Sequence, residues 1–139
     1  MGAHGVKVAL GVAALALVGL AACGGGARAS GPTTIEITVH HSKFVPSAVH
    51  VRPGATVRFV VHNTDPIEHE FIVGDQATQD MHEVGTDALH NGPGAVSLRP
   101  ESTAETTYTF PTTGHLLFGC HLPGHWAYGM HGTIAITNA

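Results

Sequence analysis

The chain has 139 residues, 43% hydrophobic and 12% charged, a composition that fits one globular domain and excludes a disordered polymer. Six basic against ten acidic residues give a formal charge of −4 at pH 7, which argues against a nucleic-acid partner.

Lys7 precedes an apolar run over residues 8–22 that is short for a bilayer span and lacks a charged flank after it, so residues 1–22 read as a signal peptide. Its end, Leu20-Ala21-Ala22-Cys23, resembles the lipobox of bacterial lipoproteins, in which cleavage leaves an acylated N-terminal Cys. A plain secretory cleavage site is the alternative. Both readings place the mature protein outside the cytoplasm, and the first anchors it to the cell membrane through Cys23. Cleavage removes Lys7 and moves the formal charge from −4 to −5. Residues 23–33, rich in Gly, Ala and Ser, then form a flexible tether, and about ten such residues reach on the order of 17 Å. The folded domain is expected over residues 34–139.

From Thr34 the pattern has period two: Ile35, Ile37 and Val39 alternate with Glu36, Thr38 and His40, as a half-buried strand requires. Phe44 and Pro46 interrupt it. Val49 and Val51 lead into the turn Arg52-Pro53-Gly54, and a β-branched run over residues 56–63 follows, which predicts a hairpin. A Pro-containing turn, Asp65-Pro66-Ile67-Glu68, precedes a short strand that His69 opens. Residues 75–94 lack clear periodicity and predict a long loop, with or without one helical turn over residues 79–84. Seven of the ten acids fall between Asp65 and Asp87, a solvated surface that weakly suggests a basic docking partner. Further strands are expected over residues 95–98, 104–110, 115–118 and 132–137. Seven or eight short strands punctuated by turns predict an all-β sandwich or barrel.

The stretch from Gly119 to Gly132 places Cys120, His125 and Met130 at five-residue intervals. Thiolate and thioether are soft ligands and imidazole is borderline; one Cys, two His and a weak axial Met make the donor set of an electron-transfer copper centre. With Cys23 acylated, Cys120 is the one free thiol in an oxidising compartment, and metal ligation accounts for it most simply. The loop supplies one of the two His. His69, at the end of a predicted strand, stands out as the other.

Phe44-x-Pro46, Val49-x-Val51-x-x-Gly54, Val57-x-Phe59-x-x-x-Asn63, His69-x-Phe71, Tyr108-x-Phe110, Gly114 and Cys120-x4-His125-x4-Met130-x-Gly132 together resemble the cupredoxins, small blue-copper proteins with a Greek-key β-sandwich. The resemblance spans nearly all of residues 35–137. It implies one type 1 copper ion, with His69, Cys120 and His125 as equatorial ligands and Met130 as the axial one, and it implies that Phe110 and Phe118 are core. It also implies that the apolar surroundings of His125, with Leu122, Pro123, Trp126 and Ala127, form the docking face for redox partner proteins.

Two departures bear on function. Glu70 follows the remote His where relatives often carry Asn or Ser, although the backbone N–H at that position can still bond the Cys sulfur. The x4 and x4 spacing is similar to that of the mononuclear segment of multicopper oxidases, but no His-x-His pair exists for a trinuclear cluster. Gly119 stands where copper nitrite reductases place a second-copper His. A non-enzymatic electron carrier is therefore expected, with copper delivery or scavenging as the alternative; the scarcity of Met, at positions 1, 81 and 130 only, speaks for the carrier. His40, His41, His50, His62, His82, His90 and His115 are expected to be surface or strand residues without partners. His121 and His131 border the loop and are candidates for extra copper, as are Met81, His82 and His90.

Overall fold

The computed structural model describes residues 1–2, 31–85 and 91–138. Residues 3–22 of the expected signal peptide, the expected acylation site Cys23, most of the tether, and His90 lie outside the described residues.

Two sheets face each other. The first contains β1 (Thr33–Val39), β2 (Phe44–Val45), β4 (Thr56–Asn63) and β8 (Thr103–Thr109), in the order β2-β1-β4-β8. The second contains β3 (Ala48–Val51), β5 (His69–Gly74), β6 (Asn91–Gly92), β7 (Ala95–Leu98), β9 (His115–Gly119) and β10 (His131–Ile136), in the order β3-β10-β9-β5-β7-β6. The two additions to the expected strands, β2 and β6, are two residues long, too short to show a period.

Alternation decides which side chains enter the space between the sheets. In β1, Ile37 and Val39 are fully buried while Glu36 faces solvent. In β4, Val57, Phe59 and Val61 do the same from the neighbouring strand. From the opposite sheet come Phe71, Val73, Leu116, Phe118 and Ile134. Phe44, Phe59, Phe71 and Phe118 meet with ring centroids 5.1–5.7 Å apart, and Phe110 packs on Phe59 at 6.2 Å, separations within the favourable range for aromatic pairs. Phe110 and Phe118 are core residues, as the resemblance implied.

The expected hairpin across Arg52-Pro53-Gly54 does not form. β3 pairs in parallel with β10, and β4 pairs with β1 and β8 in the other sheet. The turn is real: Ala55 N–H donates to Arg52 O at 3.1 Å, and Gly54 takes a left-handed φ of 68°. It carries the chain from one layer to the other instead of folding it back within a sheet. Alternation shows that both strands bury one face, and that condition is met equally by neighbours in a sheet and by strands on opposite sides of a core. Such crossings recur between β4 and β5, β7 and β8, and β8 and β9, which gives the Greek-key type of sandwich.

The interval after β5 holds α1 (Gln76–Val84), longer than the single turn expected. Asp75 caps it, its carboxylate accepting the Thr78 N–H at 2.9 Å. Gln79 is its one buried residue, so the helix carries no apolar stripe that periodicity could detect.

Candidate metal centre

Cys120 directly follows β9 and Met130 directly precedes β10, so the antiparallel pairing of these strands, His131 opposite Gly119, closes the intervening loop at its base. Cys120 N–H donates to Met130 O at 3.1 Å across that base. Inside the loop the chain winds tightly: His125 N–H donates to Leu122 O, Tyr128 N–H to Gly124 O, and Met130 N–H to His125 O. Gly124 and Gly129 take φ of 81° and 89°, left-handed values that favour glycine. These bonds turn His125 back toward Cys120. On the next strand, β5 runs antiparallel to β9 with Ile72 opposite Gly119, which brings the start of β5, and with it His69, to the end of the sheet where Cys120 lies.

The three side chains converge. Cys120 Sγ lies 3.2 Å from His125 Nδ1, and the Nδ1 atoms of His69 and His125 are 3.3 Å apart. One donor atom from each residue falls within 4.8 Å of the others. Among the described residues this is the one such grouping of His, Cys, Asp and Glu. His69 and Cys120 are buried, and His125 is half-buried. Met130 is fully buried at the loop base beside Cys120.

The surroundings prepare these donors. Glu70 N–H donates to Cys120 Sγ at 3.3 Å, the backbone bond expected at this departure from the family pattern. The Glu70 carboxylate accepts His121 N–H at 3.3 Å. Burial pushes the Cys120 thiol up to about 11, against the lowering effect of the Leu122 and Glu70 amides, so the sulfur holds its proton until a cation replaces it. Burial holds the His69 imidazole below its ordinary value, which keeps it neutral and able to ligate. Two imidazole nitrogens and one sulfur, converging in a buried space with an amide donor on the sulfur, fit a single type 1 copper ion.

The roles of four residues of this region escaped the sequence reading. Asp65, which figured there only in the turn and the acidic cluster, is buried and accepts from His69 Nε2 at 3.0 Å. Gln79 bonds His121 Nε2 at 2.7 Å, and Glu83 meets His121 Nδ1 at 2.9 Å. Trp126 stacks on His121 with centroids 4.9 Å apart and an interplanar angle of 15°. The His expected to lack partners are also corrected in part: His62 bonds Glu36 and Thr103, His40 bonds Thr64, and His82 bonds Thr78 O. Neighbouring strands bring the partners of His62 and His40 within reach, and one turn of α1 brings Thr78 to His82, relations that a single strand's pattern does not show.

A largely buried cluster of two His and one Cys at the end of a two-sheet sandwich defines the class. The cupredoxin-like domain family matches residues 11–135, and the chain belongs to it. The copper-resistant cuproprotein CopI of Rubrivivax gelatinosus is 34% identical over 116 residues, spanning 80% of this chain and 70% of that protein. Auracyanin-A of Chloroflexus aurantiacus is 29% identical over 149 residues, spanning 88% and 91%. The solved structure of auracyanin A, a "blue" copper protein, superposes with a TM-score of 0.64 at 24% identity, covering 77% of this chain and all of that one.

Proposed function

We propose that this protein is a single-domain electron carrier outside the cytoplasm in which His69 Nδ1, His125 Nδ1 and Cys120 Sγ would hold a type 1 copper ion, with Met130 as a further, weaker ligand. The observation that carries this reading is the convergence of those three donors with the Glu70 amide on the sulfur. Copper held this way exchanges one electron with little rearrangement of its ligands. The chain's part is to hold the donors fixed. β5 and β9 keep His69 and Cys120 on adjacent strands, and the Cys120–Met130 backbone bond sets the loop base. His125 reaches the surface among Leu122, Pro123 and Ala127, the face through which redox partner proteins would exchange electrons. Gly119 supports a non-enzymatic role, because it stands where a second-copper His would be needed and the Trp126 ring takes the space beside it. The lipobox-like Cys23 supports anchoring to the membrane.

Copper delivery is the second reading, favoured by the similarity to copper-resistant cuproproteins. The experiment adds Cu(II) to the purified protein and records the visible spectrum, with Cys120→Ser and His69→Ala beside it. An intense thiolate-to-copper band, lost in Cys120→Ser and altered in His69→Ala, is expected; a colourless copper complex overturns the assignment. Repeated redox cycling beside a Cu(I) chelator separates the two roles. A carrier keeps its copper, and a delivery protein loses it in the reduced state.

A further inference from the structure

The carboxylate of Asp65 is buried at 5% exposure and every bond it makes points to one purpose. Its Oδ1 accepts His41 N–H and its Oδ2 accepts Ser42 N–H, both at 2.7 Å, and Oδ2 also meets His69 Nε2 at 3.0 Å. His41 and Ser42 adopt φ of 50° and 53°, a left-handed conformation that non-glycine residues seldom take, so the turn is held against its local preference with both amides aimed at one anion. Asp65 is itself set in place by Asn63, whose Oδ1 accepts Asp65 N–H at 3.0 Å while its Nδ2 donates to Ile67 O and Arg99 O. Asn63 ends β4 and Arg99 follows β7, so the carboxylate is referenced to both sheets.

We propose that Asp65 is a positioning residue for His69: its carboxylate takes the Nε2–H, fixes the tautomer and ring orientation that present Nδ1 to the metal, and biases bound copper toward Cu(II). A carboxylate is only an acceptor, so the nitrogen facing it carries the proton and the opposite nitrogen has its lone pair free. A negative partner on the far side of the ring makes the imidazole a stronger donor, and a fixed anion one imidazole away favours the more positive ion; both effects have the same sign. The amides of His41 and Ser42 donate to both carboxylate oxygens, an arrangement that suits the charged form of the side chain. The inference rests on His69 being a ligand.

The test compares the copper-loaded wild type with Asp65→Asn and Asp65→Ala. The thiolate-to-copper band persists, because all four ligands remain. Affinity for Cu(II) falls about tenfold relative to Cu(I), so the reduction potential rises by about 59 mV. A potential that is unchanged or lowered in both variants overturns the proposal, since a carboxylate that only staples the turn at His41 would alter stability alone. A second measurement needs neither copper nor a variant that folds: the 15N spectrum of the metal-free wild type shows His69 as the Nε2–H tautomer. Finding the Nδ1–H tautomer there overturns the proposal. Failure of the copper reading appears elsewhere, as a wild type with no charge-transfer band, and leaves the tautomer result standing.

Discussion

The six-membered ring of Trp126 rests on the α-carbon of Gly119, its Cζ3 and Cε3 atoms occupying the space that a side chain would need. The same indole stacks on His121 and lies 4.7 Å from the His131 ring, so one aromatic side chain ties the start of the ligand loop to its end.

Gly119→Ala forces that ring outward. The expected cost is about 1–3 kcal/mol, the range for an added methyl in a tight contact, and Trp126 fluorescence shifts to longer wavelength as the ring meets water. Thermal unfolding of the metal-free protein and its emission spectrum check both; an unchanged emission maximum would mean that the ring is not held by this contact.

His69 makes the metal-free fold sensitive to mild acid. Burial holds its folded value below 6.5, while the unfolded chain takes up the proton near 6.5. The unfolded state therefore binds more protons in this window, and stability is fully present above pH 6.5 and declines as pH falls through the folded value, by up to about 1.4 kcal/mol per unit. Denaturant titrations of wild type and His69→Gln at pH 7.5, 6 and 5 should show the difference between them shrinking toward acid.

Cys120 carries the opposite sign at high pH. Its thiol stands at about 11 in the fold against an ordinary value of 9.0, so this contribution to metal-free stability is complete below pH 9.0 and is lost as pH rises toward 11. The same protonated thiol must ionise when Cu(II) binds. Copper uptake in weak buffer near pH 7.5 should release about one proton per ion, and Cys120→Ser should abolish that release while leaving any non-specific copper binding by surface His.

Gln79 is 1% exposed; its Nε2 donates to Ile72 O at 3.2 Å and Leu117 O at 3.4 Å, and its Oε1 takes the His121 ring at 2.7 Å. Gln79→Ala orphans these groups at a cost of about 1–3 kcal/mol. Hydrogen exchange at α1 and at the His121 amide should accelerate together, because the same side chain joins helix and loop.

Several features were legible from residues alone because their signals are local. Strand alternation located the eight longer strands, and the five-residue spacing of Cys120, His125 and Met130 marked the loop in which Cys120 and His125 meet. The place of His69 beside Cys120 and His125 was reachable because the end of a strand after a Pro turn is a position that pattern can show. The polar helix α1 was under-read: its buried face is a single Gln, and polar periodicity carries no transfer free energy to detect.

Sheet assignment and the surroundings of the donors were decided only by tertiary structure. Residues 49–51 and 56–63 show the same alternation whether they pair with each other or face each other across the core, and the parallel partners β10 and β1 settled that. Asp65 looked like surface acid because charge in a sequence has no inside or outside. Its burial follows from the His41–Ser42 turn and the start of β5 meeting it in space, a coincidence of three segments that no window of sequence contains. What the residues alone determined was which donors exist and how they are spaced; the packing of two sheets determined that they meet, and with which hydrogen bonds behind them.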